Sequence, residues 1–336
     1  MKETGISTPT SLPNLFKNEG YESVKFFHDY LGTFYSRNDV NTSIGFDDVY
    51  SLEDSTLYNE EDRFGDFVDD GAFIDACKEE FMPADKKFFS FFTTVSMHGP
   101  YTKRNERFAA YYDLVDARYN DFCQYAADMD LGYVLPEYES KEYYIFREYK
   151  AKTMAVDNMI RVILDRLNNT TDTNGDKLID NTTILMFADH NAYYQDLSYK
   201  IKGVGEYDET SKAYNVPMMI YSKKLVAAEN KTFCNTYDLY PTICDLFGFK
   251  FNRSLAQGYS VFSDDIKDSV FVSSMASIFD EYFYSLTMKN IVKVSDEPLD
   301  NYNEKLANFK RKVSNFVKKQ SYIEAYYRIN YEEYIK

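Results

Sequence analysis

Lys87-Phe-Phe-Ser-Phe-Phe-Thr-Thr-Val95, followed at once by Ser96-Met97-His98-Gly99-Pro100-Tyr101, is the stretch on which the reading of this chain turns. A near-continuous apolar and β-branched run of this length predicts a strand buried on both faces. Gly99 and Pro100 then force a loop. Two further runs have the same form. Ser23-Val-Lys-Phe-Phe27 leads into His28, and Thr182-Thr-Ile-Leu-Met-Phe187 leads into Ala188-Asp189-His190-Asn191. Val216-Pro-Met-Met-Ile-Tyr221 reads as another short strand.

Helical patterns lie between these runs. Ser11 can cap a short helix with Pro13 in its first turn and Gly20 as its stop. From Glu142 to Asn168, Val156, Ile160, Ile163, Leu164 and Leu167 recur at spacings of three and four, which places them on one face. Tyr237 to Phe247 predicts a helix closed by Gly248. Ser269–Ser277 and Tyr282–Val294 read as paired strands, and Tyr302–Tyr331 as one or two terminal helices. Residues 38–85 are acidic and show little periodicity. Strands alternating with helices predict an α/β fold with a mostly parallel central sheet flanked by helices. A small C-terminal α+β part, a hairpin and helices, follows it.

The 336 residues are enough for a substantial core, and 44% hydrophobic with 27% charged residues is ordinary for a globular chain. Thirty-eight basic against 54 acidic residues leave a net charge of −16, a field that repels polyanions and argues against nucleic acid as a partner. Phosphate recognition then needs a local cation or a metal. No run of 18 apolar residues occurs. Cys77, Cys123, Cys234 and Cys244 lack CxxC pairing and read as free or core thiols. Glycine-rich nucleotide fingerprints are absent from the sequence. Asp172-Thr-Asn-Gly-Asp176 has Lys177 and Thr183 where a calcium loop needs glycine and a carboxylate, so it reads as a polar turn.

The chain has three histidines, and His28, His98 and His190 each follow a predicted strand. In parallel sheets ligands gather beyond the carboxyl ends of the strands, so the three are expected together at one sheet edge. Asp189 and His190 offer a carboxylate and an imidazole, both ligands of first-row metals. Arg37, nine residues after His28, offers a planar fork for phosphate oxygens, against the plainer reading of a surface arginine paired with Asp39.

Taken in order, these motifs resemble the catalytic domain of lipoteichoic acid synthases and related phosphoglycerol transferases, of the alkaline phosphatase and sulfatase superfamily. The matching pieces are Ser11-Leu-Pro-Asn-Leu-Phe-Lys-Asn-Glu-Gly-Tyr21, Phe27-His28 with Arg37, Asn41 to Phe46, and Thr94-Val-Ser-Met-His98-Gly-Pro-Tyr101. Further on come Asp157, Asn181 to His190, Val216-Pro217, and Tyr237 to Thr242 leading to Leu246-Phe-Gly248. The resemblance implies an alkaline phosphatase-like core over residues 1–265 and a C-terminal hairpin and helical part over 266–336. It implies that Asp189 and His190 ligate one divalent ion, manganese with magnesium or zinc as alternatives. His98 would be the catalytic histidine beside the leaving group or phosphate. His28 and Arg37 would hold phosphoryl oxygens of a glycerol phosphate or a phospholipid head group. A threonine would attack phosphatidylglycerol, and a glycerol hydroxyl would resolve the phosphoglyceryl intermediate.

The chain also departs from the family pattern. The early strand with a glutamate metal ligand and the turn with the nucleophilic threonine have no counterpart, so the core is expected to lack its first strands and to expose a sheet edge. Thr4, Ser7, Thr8 and Thr10 stand in no nucleophile context. Tyr30 replaces a carboxylate, Tyr35 a tryptophan, and Asn191-Ala192 a bulkier pair. The expected function is a phosphoglycerol transferase-like domain. The alternatives are a phosphate or sulfate ester hydrolase, or a degenerate homologue that binds a phosphorylated ligand without turnover. The parent protein is expected at the extracellular face of a bacterial cytoplasmic membrane, attached through the missing N-terminal segment, with this chain itself soluble.

Overall fold

The computed structural model describes residues 9–59, 69–102, 104–128, 135–191, 215–273, 277–295 and 297–330. Thr4, Ser7, Thr8 and Ala192 therefore lie outside the described residues. At the centre is β1 (Ser23–His28), with β2 (Asp48–Ser51) on one side and β3 (Phe88–Thr93) on the other, both parallel to it. Their register aligns His28 with Ser51 and with Thr93, so the three strands end together.

Alternation along β1 builds two cores, because successive strand residues point to opposite faces. Val24 and Phe26 face α1 (Leu12–Asn18), with Leu15, Phe16, Phe46, Cys244 and Phe249 buried around them. On that face Phe89 of β3 stacks on Phe16, with ring centres 4.1 Å apart. Phe27 faces the other way, into Phe73, Ile74 and Cys77 on and after α3 (Asp70–Ala76) and Met159 and Leu167 on α7 (Lys141–Asn169). Each fully buried aromatic or aliphatic side chain here is worth about 1.5–3 kcal/mol of transfer free energy. The result is a three-layer arrangement of helices, sheet and helices.

Local signals explain the helices. Ser11 caps α1 through its Oγ, 3.4 Å from the Asn14 amide, and Pro13 sits in the first turn, where its missing N–H is harmless. Ser140 caps α7 at the Tyr143 amide, 3.0 Å away. Asp69 caps α3 at the Ala72 amide, 3.1 Å away. The helix α9 (Leu239–Phe247) stops at Gly248, whose φ of +70° suits a residue without a Cβ. The loop at 172–176 is the polar turn expected: Asp172 Oδ1 accepts from the Asn174 and Asp176 amides, and Gly175 takes φ +89°.

The structure adds elements to the acidic stretch and to residues 102–140. α2 (Arg37–Ser43), β2, α3 and α4 (Lys78–Phe81) lie within 38–85 or overlap its start. α5 (Ala109–Ala117) and α6 (Tyr119–Asp128) pack on the first half of α7. After α8 (Leu178–Asn181), β4 (Ile184–Phe187) pairs antiparallel with β5 (Met218–Tyr221) in a separate two-stranded sheet. Phe187 of β4 still meets Phe91 of β3, ring centres 6.4 Å apart. Among the described residues β3 is the outer strand of its sheet, and all six of its residues are only half-buried. Beside it, a cavity of about 570 Å³ lies between the sheet, α1 and α9, lined by Phe26, Phe46, Phe89, Phe91 and Tyr240 among others.

Four short antiparallel strands close the chain, β6 (Phe271–Val272), β7 (Ile278–Phe279), β8 (Phe283–Ser285) and β9 (Ile291–Lys293), covered by one helix, α10 (Tyr302–Ile329). Phe309, Val313 and Phe316 of that helix pack on Val270 and Phe283. Among the described residues no helix is long and apolar enough to cross a membrane.

Candidate active site

His28 is the last residue of β1 and is buried. Its Nδ1 lies 3.0 Å from the Thr93 carbonyl. A carbonyl only accepts, so Nδ1 carries the proton and Nε2 is left as the acceptor. That Nε2 is buried without a hydrogen-bond partner. Burial lowers the imidazole pKa to about 4, with Arg37 pushing the same way and the Thr93 bond opposing. At neutral pH His28 is therefore an uncharged acceptor beside a guanidinium.

Arg37 opens α2, and the segment that delivers it bends sharply. Tyr35 and Ser36 both take the left-handed region, φ +54° and +53°. Each such non-glycine residue costs on the order of 1–3 kcal/mol. The loop is held by its neighbours: the Gly32 amide donates to Glu53 Oε2 at 3.1 Å, and the Leu52 amide to the Tyr30 carbonyl at 3.1 Å. A Cβ at Gly32 would sit 2.1 Å from Asn38 Oδ1, so any larger residue there would have to displace the Asn38 side chain. Arg37 Nε is buried and has no hydrogen-bond partner. The plainer reading, a surface arginine paired with Asp39, does not describe it. Phe34 and Tyr35 form an exposed aromatic rim beside it.

His98 lies five residues beyond β3, exposed, on a loop anchored from two sides. Asp70 Oδ1 accepts from the Val95 and Ser96 amides at 2.9 and 3.2 Å, and Ser96 Oγ accepts from the Asp70 amide at 3.0 Å. From α7, Lys152 Nζ donates to the carbonyls of His98 (2.8 Å) and Pro100 (3.2 Å). Lys152 is buried, and Glu148, 3.6 Å away and also buried, balances its charge. Tyr112 donates to that same carboxylate. Burial lowers the Lys152 pKa while Glu148 raises it. The His98 Nδ1 is 2.7 Å from the Gly99 carbonyl, which again assigns the acceptor role to Nε2 in the neutral ring.

Asp189 and His190 follow β4 and are exposed. His190 Nδ1 lies 2.7 Å from the Asn191 carbonyl, and Nε2 lies 3.5 Å from Asp189 Oδ2. Two acceptors at that separation are the donor set a cation or a proton would join. Two protein ligands are nonetheless short of the three or four a bound metal needs. Among the described residues no group of three or more histidine, cysteine or carboxylate side chains could hold a metal ion. The described residues alone do not make a metal cage.

The structure thus brings His28 and Arg37 together and gives the three histidines one pattern, Nδ1 on a main-chain carbonyl. The expectation that all three line the edge of a single sheet is corrected. His28 ends β1 itself, His98 stands off on a loop, and His190 follows a strand of the separate β4–β5 sheet. Sequence reasoning missed Asp29, Asp70 and Lys152. Lys152 carried a signal: it lies four residues before Val156, on the apolar stripe of α7, where a charge must find a buried partner. Asp69-Asp70 before Phe73, Ile74 and Cys77 likewise has the form of a capped helix start.

The family model described as sulfatase matches residues 3–249 of the 336. No curated protein matches. Among solved structures, the lipoteichoic acid synthase LtaP from Listeria monocytogenes is similar with a TM-score of 0.60 at 16% identity, covering 96% of this chain and 76% of that one. A protein in the alkaline phosphatase superfamily from Vibrio parahaemolyticus is similar with a TM-score of 0.57 at 16% identity, covering 99% of this chain and 70% of that one. At such identities the likeness is one of fold.

Proposed function

This chain belongs to the sulfatase family, and from that premise we propose that it is a phosphoglycerol transferase-like domain that holds a glycerol phosphate or the head group of a glycerophospholipid. The observation that carries the reading is the pairing of His28 with Arg37. Arg37 supplies the local cation that a chain of net charge −16 needs to hold an anion. His28 Nε2, buried, neutral and an acceptor, is matched to a hydroxyl proton. A phosphorylated polyol presents both groups at once, phosphoryl oxygens that accept and a hydroxyl that donates. The exposed ring of Tyr35, 79% accessible, would lie at the rim, where an acyl-glycerol stem emerges.

In this reading His98 acts beside the leaving oxygen, where a neutral Nε2 can take or return a proton. Asp189 and His190 are the two ligands that this chain offers to a divalent ion, manganese by the family resemblance. That ion would supply positive charge to developing negative charge on the phosphoryl group. The described residues supply only part of its cage. No described residue is assigned as the nucleophile. The match over 3–249 and the separate C-terminal sheet support a division into a catalytic core to about residue 265 and a C-terminal part after it. An extracellular setting, and attachment to the membrane by a segment outside the described residues, follow from the same reading.

One observation favours a second reading. Among the described residues, two metal ligands without a third fit a homologue that binds a phosphorylated ligand and does not turn it over. Both readings share the pocket. Calorimetric titration with glycerol phosphate is expected to show binding that Arg37→Gln weakens by roughly 10- to 100-fold, the worth of a charge-assisted hydrogen bond. Equal affinity in the wild type and the variant would refute the pocket. Hydrolysis of a generic phosphodiester by the manganese-loaded chain would remove the non-catalytic reading.

A further inference from the structure

We propose that Asp29 is a positioning residue whose carboxyl group is a neutral acid, donating its proton to the Asp70 carboxylate and so locking the end of β1, with His28, to the loop that carries His98. The inference goes beyond the function proposed above, and it holds whether or not glycerol phosphate is the ligand.

Asp29 follows His28 directly, and its side chain is completely buried. Neither of its oxygens receives a hydrogen bond from another residue. Its surroundings contain the side chain of Asp70, equally buried and within hydrogen-bonding reach. Asp70 is already an acceptor: the Val95 and Ser96 amides both point at it. An oxygen that accepts amide hydrogens cannot direct a proton of its own at them. Two desolvated carboxylates in contact cannot both be charged, so the pair holds one proton, and it resides on the member without donors. That member is Asp29.

The other groups around the pair agree. Burial raises the Asp29 pKa well above the ordinary carboxylate range, the charge of Asp70 and the hydrogen bond to it add to this, and Asp69 adds a little more. Its own backbone N–H opposes weakly. Cys77, just past α3, also lies near Asp29, and burial pushes its thiol up to about 12, so it adds no charge beside the pair. The Tyr111 hydroxyl is directed to Asp69, 3.3 Å away. Arg37 acts on His28. Among these groups no cation compensates Asp29.

The proton therefore bridges two elements that the candidate site needs in register. On one side the main chain of Asp29 continues from His28. On the other, Asp70 grips Val95 and Ser96, three and two residues before His98. Removing the proton leaves two negative charges in a buried contact and drives these elements apart.

Asp29→Asn keeps a donor toward Asp70 and does not titrate, whereas Asp29→Leu keeps the size and loses the donor. Two measurements on the full chain test the proposal. Chemical unfolding at rising pH, from the ordinary carboxylate range upward, is expected to show the folding equilibrium of the wild type falling by up to about tenfold per pH unit relative to Asp29→Asn, because folding takes up one proton. A wild-type to variant ratio that does not change with pH would overturn the protonated acid. Histidine NMR, with three imidazoles to follow, reads the positioning. His28 is expected to titrate near pH 4 in the wild type and in Asp29→Asn, and to move toward its ordinary value in Asp29→Leu. An unmoved His28 in Asp29→Leu would overturn the positioning role. If Asp29→Leu does not fold, the Asp29→Asn comparison decides alone.

Discussion

The Nδ1 of His28 and the carbonyl of Thr93, 3.0 Å apart, join the last residues of β1 and β3 where their ladder ends. This bond fixes the tautomer, and with burial it keeps the ring neutral. A stability prediction follows from the sign of the shift. The folded pKa, about 4, lies below the unfolded value near 6.5. Protonation therefore favours the unfolded chain, and stability present above about pH 6.5 is lost as the pH falls toward 4. The full shift corresponds to about 3 kcal/mol. His28→Asn is expected to abolish this acid-side loss, measured by urea unfolding at pH 7 and pH 4.5. A wild type and a variant that lose stability equally would contradict the buried neutral imidazole.

Lys152 makes a second prediction. Its ammonium group joins the His98 and Pro100 carbonyls to Glu148 in a buried network. Lys152→Met leaves Glu148 buried without its cation and is expected to destabilise by about 3–5 kcal/mol. Adding Glu148→Gln removes the orphaned charge, so the double variant is expected to recover a large part of that loss. Guanidinium unfolding of the two single variants and the double variant measures the coupling. Simple additivity would show that the two groups do not act as a pair.

The left-handed pair Tyr35–Ser36 makes a third. Glycine adopts this backbone without steric penalty. Ser36→Gly is expected to change stability by no more than about 1 kcal/mol in either direction, since relief of strain offsets the greater freedom of the unfolded chain. Ser36→Val, β-branched at the same φ of +53°, is expected to destabilise by more and to weaken anion binding with it. Thermal melts and a phosphate titration read both. Equal stability of the glycine and valine variants would contradict the strained entry into α2.

The two long apolar runs were legible because strands packed between layers of helices carry few polar residues; β1 is almost wholly buried, whereas β3, the outer strand among the described residues, is half-buried. Ser23–His28 and Phe88–Thr93 form as their composition dictates, and the cap at Ser11 and the stop at Gly248 were equally readable. β2 was not. It has four residues, begins at the exposed Asp48 and holds its place through pairing with β1, a partner remote in sequence. α3 hid in an acidic stretch because two of its acids are structural: Asp69 caps the helix and Asp70 is buried against the loop before His98. The run ending at Phe187 read as a strand, but local sequence does not encode which strand it joins, and it pairs antiparallel with Met218–Tyr221. For the site, the sequence marked His28, His98, His190 and Arg37 by position. It could not mark Asp29, whose meaning depends on a carboxylate 41 positions away that the fold sets against it.

Asp189 and His190 give a prediction about metal. Manganese titration followed by calorimetry is expected to show binding that Asp189→Asn and His190→Ala each weaken by at least about tenfold. Binding that survives both substitutions would place the ion elsewhere.

A structure of this chain soaked with glycerol phosphate decides whether His28 and Arg37 together hold a phosphorylated polyol. A phosphoryl oxygen is expected within hydrogen-bonding distance of the Arg37 guanidinium, with a glycerol hydroxyl donating to His28 Nε2. Glycerol phosphate bound away from both side chains, or oriented with its hydroxyls on Arg37, would contradict that arrangement.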